Sequence, residues 1–178
     1  ILYERGWKYV KFKKLDSRSF TIIEDVPRKK YVTKNGFVVY PEDVWREDHV
    51  EFVGTGWIKK LEIPLNTSLR FTFIFYKRRP SVYIFFKEDD NIYTDKNFYF
   101  ILAMNCSQKG MYITCSKIIP AATLQQLYIV EKNTTNLPPF YDLFLYFSPL
   151  KFSSKIEETC FVKEIRISLN GNTSVERY

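Results

Sequence analysis

The residues able to do acid–base or nucleophilic chemistry are few. One histidine, His49, stands in Trp45-Arg46-Glu47-Asp48-His49-Val50, so a serine- or cysteine-histidine enzyme would have to use it. No nucleophile sits in a G-x-S-x-G turn, and His49 reads as a surface or strand-edge residue. A zinc enzyme needs more histidine and cysteine ligands than this chain offers. Carboxylates cluster at Glu88-Asp89-Asp90 and Glu157-Glu158. A glycosidase aims two carboxyl groups at one sugar ring, whereas neighbouring acids in a turn are ordinarily solvated. Asp89, Asp90, Asn91 and Asp95 offer oxygen ligands for calcium but lack EF-hand spacing. No P-loop or dinucleotide fingerprint is present. The reading assigns no catalytic residue, no metal ligand and no cofactor.

Modification chemistry is better represented. Four Asn-X-Ser/Thr sequons occur, at Asn66, Asn105, Asn133 and Asn172, none with proline at X. Nine asparagines at this serine and threonine content give roughly one sequon by chance, so the excess points to N-glycosylation and a secretory route. Three cysteines, Cys106, Cys115 and Cys160, allow one disulfide and one remaining thiol. None has the CxxC spacing of zinc ribbons or thioredoxin-like redox sites. Cys106 and Cys115 bracket a turn expected over 107–110. A two-residue hairpin there brings Cys106 near Tyr112, so pairing with Cys115 calls for a wider loop. A bridge from Cys160 to either is equally compatible with the sequence.

The net charge is +7. Basic residues gather as Lys11, Lys13 and Lys14; Arg28-Lys29-Lys30; Lys59-Lys60; and Lys77-Arg78-Arg79. Such clusters attract polyanions or simply solubilise loops. Nucleic acid would suit them, with aromatic residues for stacking. A glycosylated chain does not meet nucleic acid, which makes a sulfated glycan or an acidic protein face the better partner.

These groups need elements to hold them. Aromatic residues make up 18% of the chain, with 16 Phe and 13 Tyr, a composition suited to pleated, half-buried surfaces. Trp7-Lys8-Tyr9-Val10-Lys11-Phe12 alternates with the period of a strand. Tyr31-Val32-Thr33 and Phe37-Val38-Val39-Tyr40 flank Lys34-Asn35-Gly36, a hairpin signal because Asn-Gly tolerates positive φ. Further strands are expected over 19–23, 56–63, 69–76, 81–86, 98–105, 111–119, 140–147 and 161–169. A short helical turn is compatible with 41–49. Residues 121–130 read either as helix or as strand. Many short strands without a long helix indicate an all-β, antiparallel β-sandwich of jelly-roll type. An immunoglobulin variable fold fits less well, because the Cys…Trp…Cys spacing is absent.

A single domain over 1–178 is expected, with 1–49 a possible N-terminal hairpin extension. No apolar run approaches the roughly 18 residues of a membrane helix, so this fragment is not expected to insert in a membrane. The chain opens with Ile1, without a signal sequence, and reads as a processed or excised fragment.

Leu69-Arg70-Phe71-Thr72-Phe73, Val82-Tyr83-Ile84-Phe85-Phe86, Phe98-Tyr99-Phe100-Ile101-Leu102 and Tyr141-Asp142-Leu143-Phe144-Leu145-Tyr146-Phe147 together resemble farnesoic acid O-methyltransferase-type domains over about 57–170. Met104-Asn105-Cys106 replaces that family's Gly-Gly-Trp type of turn, so no binding residue and no methyl transfer is carried over. The resemblance implies an extracellular β-sandwich, of the kind found in invertebrate receptors and lectin-like proteins. The expectation from the sequence is a non-enzymatic extracellular recognition module of a receptor or secreted protein, binding a protein ligand or co-receptor. The alternatives are a glycan- or heparan-sulfate-binding module and, less favoured, a glycan-processing enzyme.

Overall fold

A computed structural model describes residues 2, 5–14, 19–25, 32–39, 52–86, 92–94, 103–148 and 160–178, with backbone alone at 11–14, 19–25, 52–55, 92–94 and 148. The strands are β1 (Trp7–Lys14), β2 (Ser19–Asp25), β3 (Val32–Thr33), β4 (Gly36–Val38), β5 (Phe52–Pro64), β6 (Leu69–Tyr76), β7 (Ser81–Phe86), β8 (Ile92–Thr94), β9 (Asn105–Lys109), β10 (Tyr112–Ile119), β11 (Phe140–Ser148), β12 (Phe161–Leu169) and β13 (Asn172–Arg177). One helix, α1 (Ala121–Lys132), lies between β10 and β11. The first sheet has the order β7-β11-β5-β1-β2-β8; the second is β3-β4-β12-β6-β10-β9, with β13 also paired to β12. Every described pair is antiparallel. The all-β sandwich is therefore present.

Alternation explains how the sheets meet. On β6, Leu69, Phe71, Phe73 and Phe75 are buried, while Arg70, Thr72, Ile74 and Tyr76 point the other way. Phe147 on β11 crosses the sandwich to meet Phe73 at 5.4 Å and Phe37 at 6.0 Å, both edge to face. Two indoles also reach across. Trp57 Nε1 donates to the Val38 carbonyl at 2.8 Å. Trp7 Nε1 donates to Tyr178 Oη at 2.8 Å and to Glu176 Oε2 at 3.1 Å. A buried indole N–H without an acceptor would cost about 1–3 kcal/mol, so these bonds help fix how the sheets lie together.

Part of the first sheet is buried on both faces. Val10, Ile58, Phe85, Phe144 and Tyr146 form a second buried cluster, separate from the core between the sheets. The uninterrupted apolar runs 82–86 and 143–147 carry that information, because a strand buried on both faces loses its alternation. The N-terminal strands are built into the sandwich: β1 pairs with β5, and β4 pairs with β12.

The ambiguous 121–130 stretch is helical. Leu124, Leu127, Tyr128 and Glu131 share one face. Tyr128 packs on Phe86 and Tyr141, with ring centroids 5.1 Å and 5.0 Å apart. Glu131 Oε2 accepts the Phe86 backbone N–H at 2.6 Å. Asn133 ends the helix with φ 50° in the left-handed region. Tertiary contacts thus override the β-branched Ile129-Val130.

Two expectations shift register. The turn after β9 is Gly110-Met111, not 107–110, because Lys109 already pairs with Tyr112 and Gly110 supplies the positive φ of 64°. Asn105, expected to end a strand, instead begins β9. In the first hairpin, Thr33 pairs with Gly36, so Lys34-Asn35 is the turn. The positive φ, 118°, falls on Gly36, and Asn35 does not share it. The expected features at 41–49 and 98–102, together with His49, Glu88-Asp89-Asp90, Asn91, Asp95, Glu157 and Glu158, lie outside the described residues.

Candidate functional site

The outer face of the second sheet is laid out by strand register. One cross-strand row runs Asn105, Ser116, Thr72, Arg166, Val175 over β9, β10, β6, β12 and β13. The neighbouring row is Ser107, Thr114, Ile74, Glu164, Arg177. A third is Lys109, Tyr112, Tyr76, Phe161. Small hydroxyl side chains in the middle rows leave a groove of about 450 Å³ between taller neighbours, lined by Thr72, Thr114, Ser116, Arg166 and Ser168 among others.

Glu164 sits in this groove and is buried, at 6% exposure. Arg166 Nε donates to its Oε2 at 2.9 Å and Arg177 Nε to its Oε1 at 2.7 Å. The Arg166 hydrogen bond is the main reason its pKa lies below the ordinary glutamate value; burial opposes the shift, and Arg177 reinforces it. The hydroxyls pair as well: Thr72 Oγ1 and Ser116 Oγ are 3.3 Å apart, and Ser168 Oγ and Thr173 Oγ1 are 2.7 Å apart. Such a face offers fixed donors, acceptors and charge to a broad ligand.

The third row is aromatic. Tyr76 meets Tyr112 at 5.6 Å and Phe161 at 6.2 Å, both edge to face. Tyr112 is 45% exposed and Met111 beside it 48%. The turn after β6 adjoins this row. Lys77 has φ 66°, its N–H bonds the Met111 carbonyl at 2.7 Å, and its Nζ lies 5.5 Å from the Tyr76 ring centre. Arg78 N–H bonds the Tyr76 carbonyl at 2.8 Å. Arg79 Nη1 lies 2.8 Å from Cys106 Sγ.

The structure brings some of the sequence-derived residues together. Lys77, Arg78 and Arg79 are exposed on one turn against the β9–β10 hairpin. Lys11, Lys13 and Lys14 lie on β1 opposite and beyond Thr55, toward the same end of the strands as the start of β7. Their side chains, and all of Arg28, Lys29 and Lys30, lie outside the described residues. Lys59 is paired with Glu176, and Lys60 lies 3.5 Å from Asp142.

Cys106 and Cys115 form a disulfide directly across the β9–β10 ladder. Cys160 is buried and takes no part in that bridge. All four sequon asparagines are exposed. Asn66 and Asn133 lie on connections, and Asn172 opens β13 opposite Leu169, at the end of the sandwich where β5 finishes and β6 begins. Gln125 of α1 donates to Asn66 Oδ1 at 2.6 Å, and Ser68 N–H bonds Asn170 Oδ1 at 2.9 Å. Asn105 stands apart on the edge strand β9.

Sequence reasoning missed Glu164, Arg166, Thr72, Ser116, Tyr76, Tyr112 and Phe161 as a group. The polar positions of β6 were readable from alternation, but their neighbours depend on cross-strand register. Among the described residues no helix is long and apolar enough to cross a membrane. No family model, curated protein or solved structure matches the chain.

Proposed function

We propose that this chain is an extracellular recognition module, from a cell-surface receptor or a secreted protein, that binds a protein partner through the outer face of its second sheet. The observation that carries the reading is the composition of that face. An aromatic row beside a hydroxyl-rich groove with a hydrogen-bonded Arg-Glu-Arg set provides the Tyr and Arg anchors and the polar surround of protein interfaces. Four exposed sequons and an intramolecular disulfide support the extracellular setting. A jelly-roll connectivity belongs to the same reading and rests on the resemblance in strand spacing.

The test is a binding screen of the secreted, glycosylated chain against extracellular proteins, repeated with Thr114→Arg. This substitution fills the groove from an exposed position without touching the core. Binding lost in a folded Thr114→Arg variant supports the reading. A partner held equally well by both forms removes this face from the interface. Silence across the screen, with turnover of a small substrate instead, would sink the recognition reading.

A second reading, a glycan- or heparan-sulfate-binding module, is favoured by a different observation. The exposed cations of the β6–β7 turn have no carboxylate partner among the described residues, whereas Lys59, Lys60, Arg166 and Arg177 do.

A further inference from the structure

We infer that the aromatic row and the turn beside it form one composite site for a sulfated oligosaccharide, made by Tyr112 and Tyr76 with Lys77, Arg78, Arg79 and Lys109. This deepens the glycan-binding reading and rests on the extracellular setting proposed above.

Three observations converge on this tip of the sandwich. The first is geometric. Lys109, Tyr112, Tyr76 and Phe161 occupy consecutive strands in one row. Strand spacing makes the three-ring part roughly 10 Å long, which suits an extended chain better than a single ring. Tyrosine presents an apolar face to the sugar C–H groups and a hydroxyl to its polar edge.

The second is electrostatic. Lys109 ends this row, Lys77 lies over the Tyr76 ring, Arg78 and Arg79 follow on the same turn with the Arg79 guanidinium against Cys106 Sγ, and all four residues are exposed. No carboxylate among the described residues pairs with them. Each retains its field for an external anion, unlike Lys59, which is paired with Glu176. Guanidinium groups also match the planar, multi-oxygen geometry of sulfate.

The third is pre-organisation. The bond from Lys77 N–H to the Met111 carbonyl ties the turn to the hairpin, and the bond from Arg78 N–H to the Tyr76 carbonyl closes the turn on itself. The Cys106–Cys115 bridge closes the hairpin beneath it. A ligand therefore meets a surface whose backbone is already set, which lowers the ordering cost of binding.

The presence of the sequons favours a glycan over nucleic acid, since a glycosylated chain does not meet nucleic acid. Asn66, Asn133 and Asn172 lie at the opposite end of the strands, so sugars attached there leave the basic tip uncovered; Asn105 stands on β9, two rows from Lys109.

The experiment uses the secreted, glycosylated chain. It measures retention on heparin and the affinity of size-defined heparin oligosaccharides as salt is varied. Lys77→Asn, Arg78→Ala, Arg79→Ala and Lys109→Ala are made singly and together; asparagine is chosen at 77 because φ 66° disfavours alanine. The combined variant is expected to bind roughly tenfold more weakly or worse and to show a shallower salt dependence. Tyr112→Ala is expected to weaken binding about threefold with the salt dependence unchanged. The charge control is Lys60→Ala with Lys8→Ala, two exposed lysines of the first sheet, which should leave affinity within about twofold despite losing two charges.

An equal loss in the control would reduce the effect to net charge and overturn the site. So would tighter binding of a single-stranded oligonucleotide than of heparin, or of desulfated than of native heparin. A chain that binds an extracellular protein but not heparin overturns this inference alone. A chain secreted without N-glycans removes the compartment reading, and the heparin result is then judged on its own.

Discussion

Glu164 shows how a single residue on a recognition face also bears on stability. Its carboxylate is buried on β12 yet ionised, because Arg166 and Arg177 both donate to it. Its folded pKa is held below the unfolded value of about 4.3. The stabilisation is therefore complete at neutral pH and above, and is lost as pH falls below about 4 through the depressed folded value. Glu176 behaves alike. Burial is the largest influence on it and pushes its pKa up, but hydrogen bonds from Lys59, Tyr178 and Trp7 together outweigh burial and lower it. Glu164→Gln keeps the shape and loses the charge, so it should cost roughly 1–3 kcal/mol at pH 7. Urea unfolding at pH 7 and pH 3 reads this out: the gap between variant and parent should narrow at pH 3, and an unchanged gap would mean the ion set contributes nothing. From sequence, Glu164 was one acid in a strand. Only register with β13 brings Arg177 beside it, and no local pattern states that register.

At the scale of elements, the legible parts are those whose information is local. The alternation of 69–76 is reproduced residue by residue in β6, and the paired-face apolar runs 82–86 and 143–147 mark strands covered on both sides. Turns were legible in place but not in phase. Asn35-Gly36 marks a real hairpin, yet the ladder resumes at Gly36 itself. The same slip at the second hairpin decided the disulfide. Shifting its turn to Gly110-Met111 sets Cys106 opposite Cys115, so a tight hairpin suffices and a wider loop is not needed. Helix α1 was ambiguous because its residues are poor discriminators, and its docking on Phe86 and Tyr141 is a long-range fact.

Gly36 gives this scale its prediction. An added Cβ would lie 2.2 Å from the Val162 carbonyl oxygen, a backbone atom of β12 that cannot turn aside. The positive φ adds further strain for any L side chain. Gly36→Ala should therefore destabilise by about 3 kcal/mol or more, or prevent folding. The effect should centre on the contact between β4 and β12. A thermal melt of the variant within about 2 °C of the parent would contradict this close approach.

The whole molecule has two dissimilar ends. Strand direction carries Asn66, Asn133 and Asn172 to one end and the Lys77-Arg78-Arg79 turn to the other, while Asn105 borders the groove on β9. If this polarity orients the domain, sugars at the first end keep that end in solvent and leave the face and basic tip to the partner. The sequons can be broken at their hydroxyl residues, since Asn66 and Asn133 occupy the left-handed region, at φ 63° and 50°, and replacing them would add strain. Ser68→Ala, Thr135→Ala and Ser174→Ala together should remove three glycans by mass. Binding of the partner and of heparin should stay within about twofold of the parent, since less than half a kcal/mol separates those affinities. A folded triple variant that loses tenfold in either affinity would place recognition at the glycosylated end. A mass unchanged by all three substitutions would show that none of these sites carries a sugar, and the extracellular reading would then rest on the disulfide and Asn105 alone.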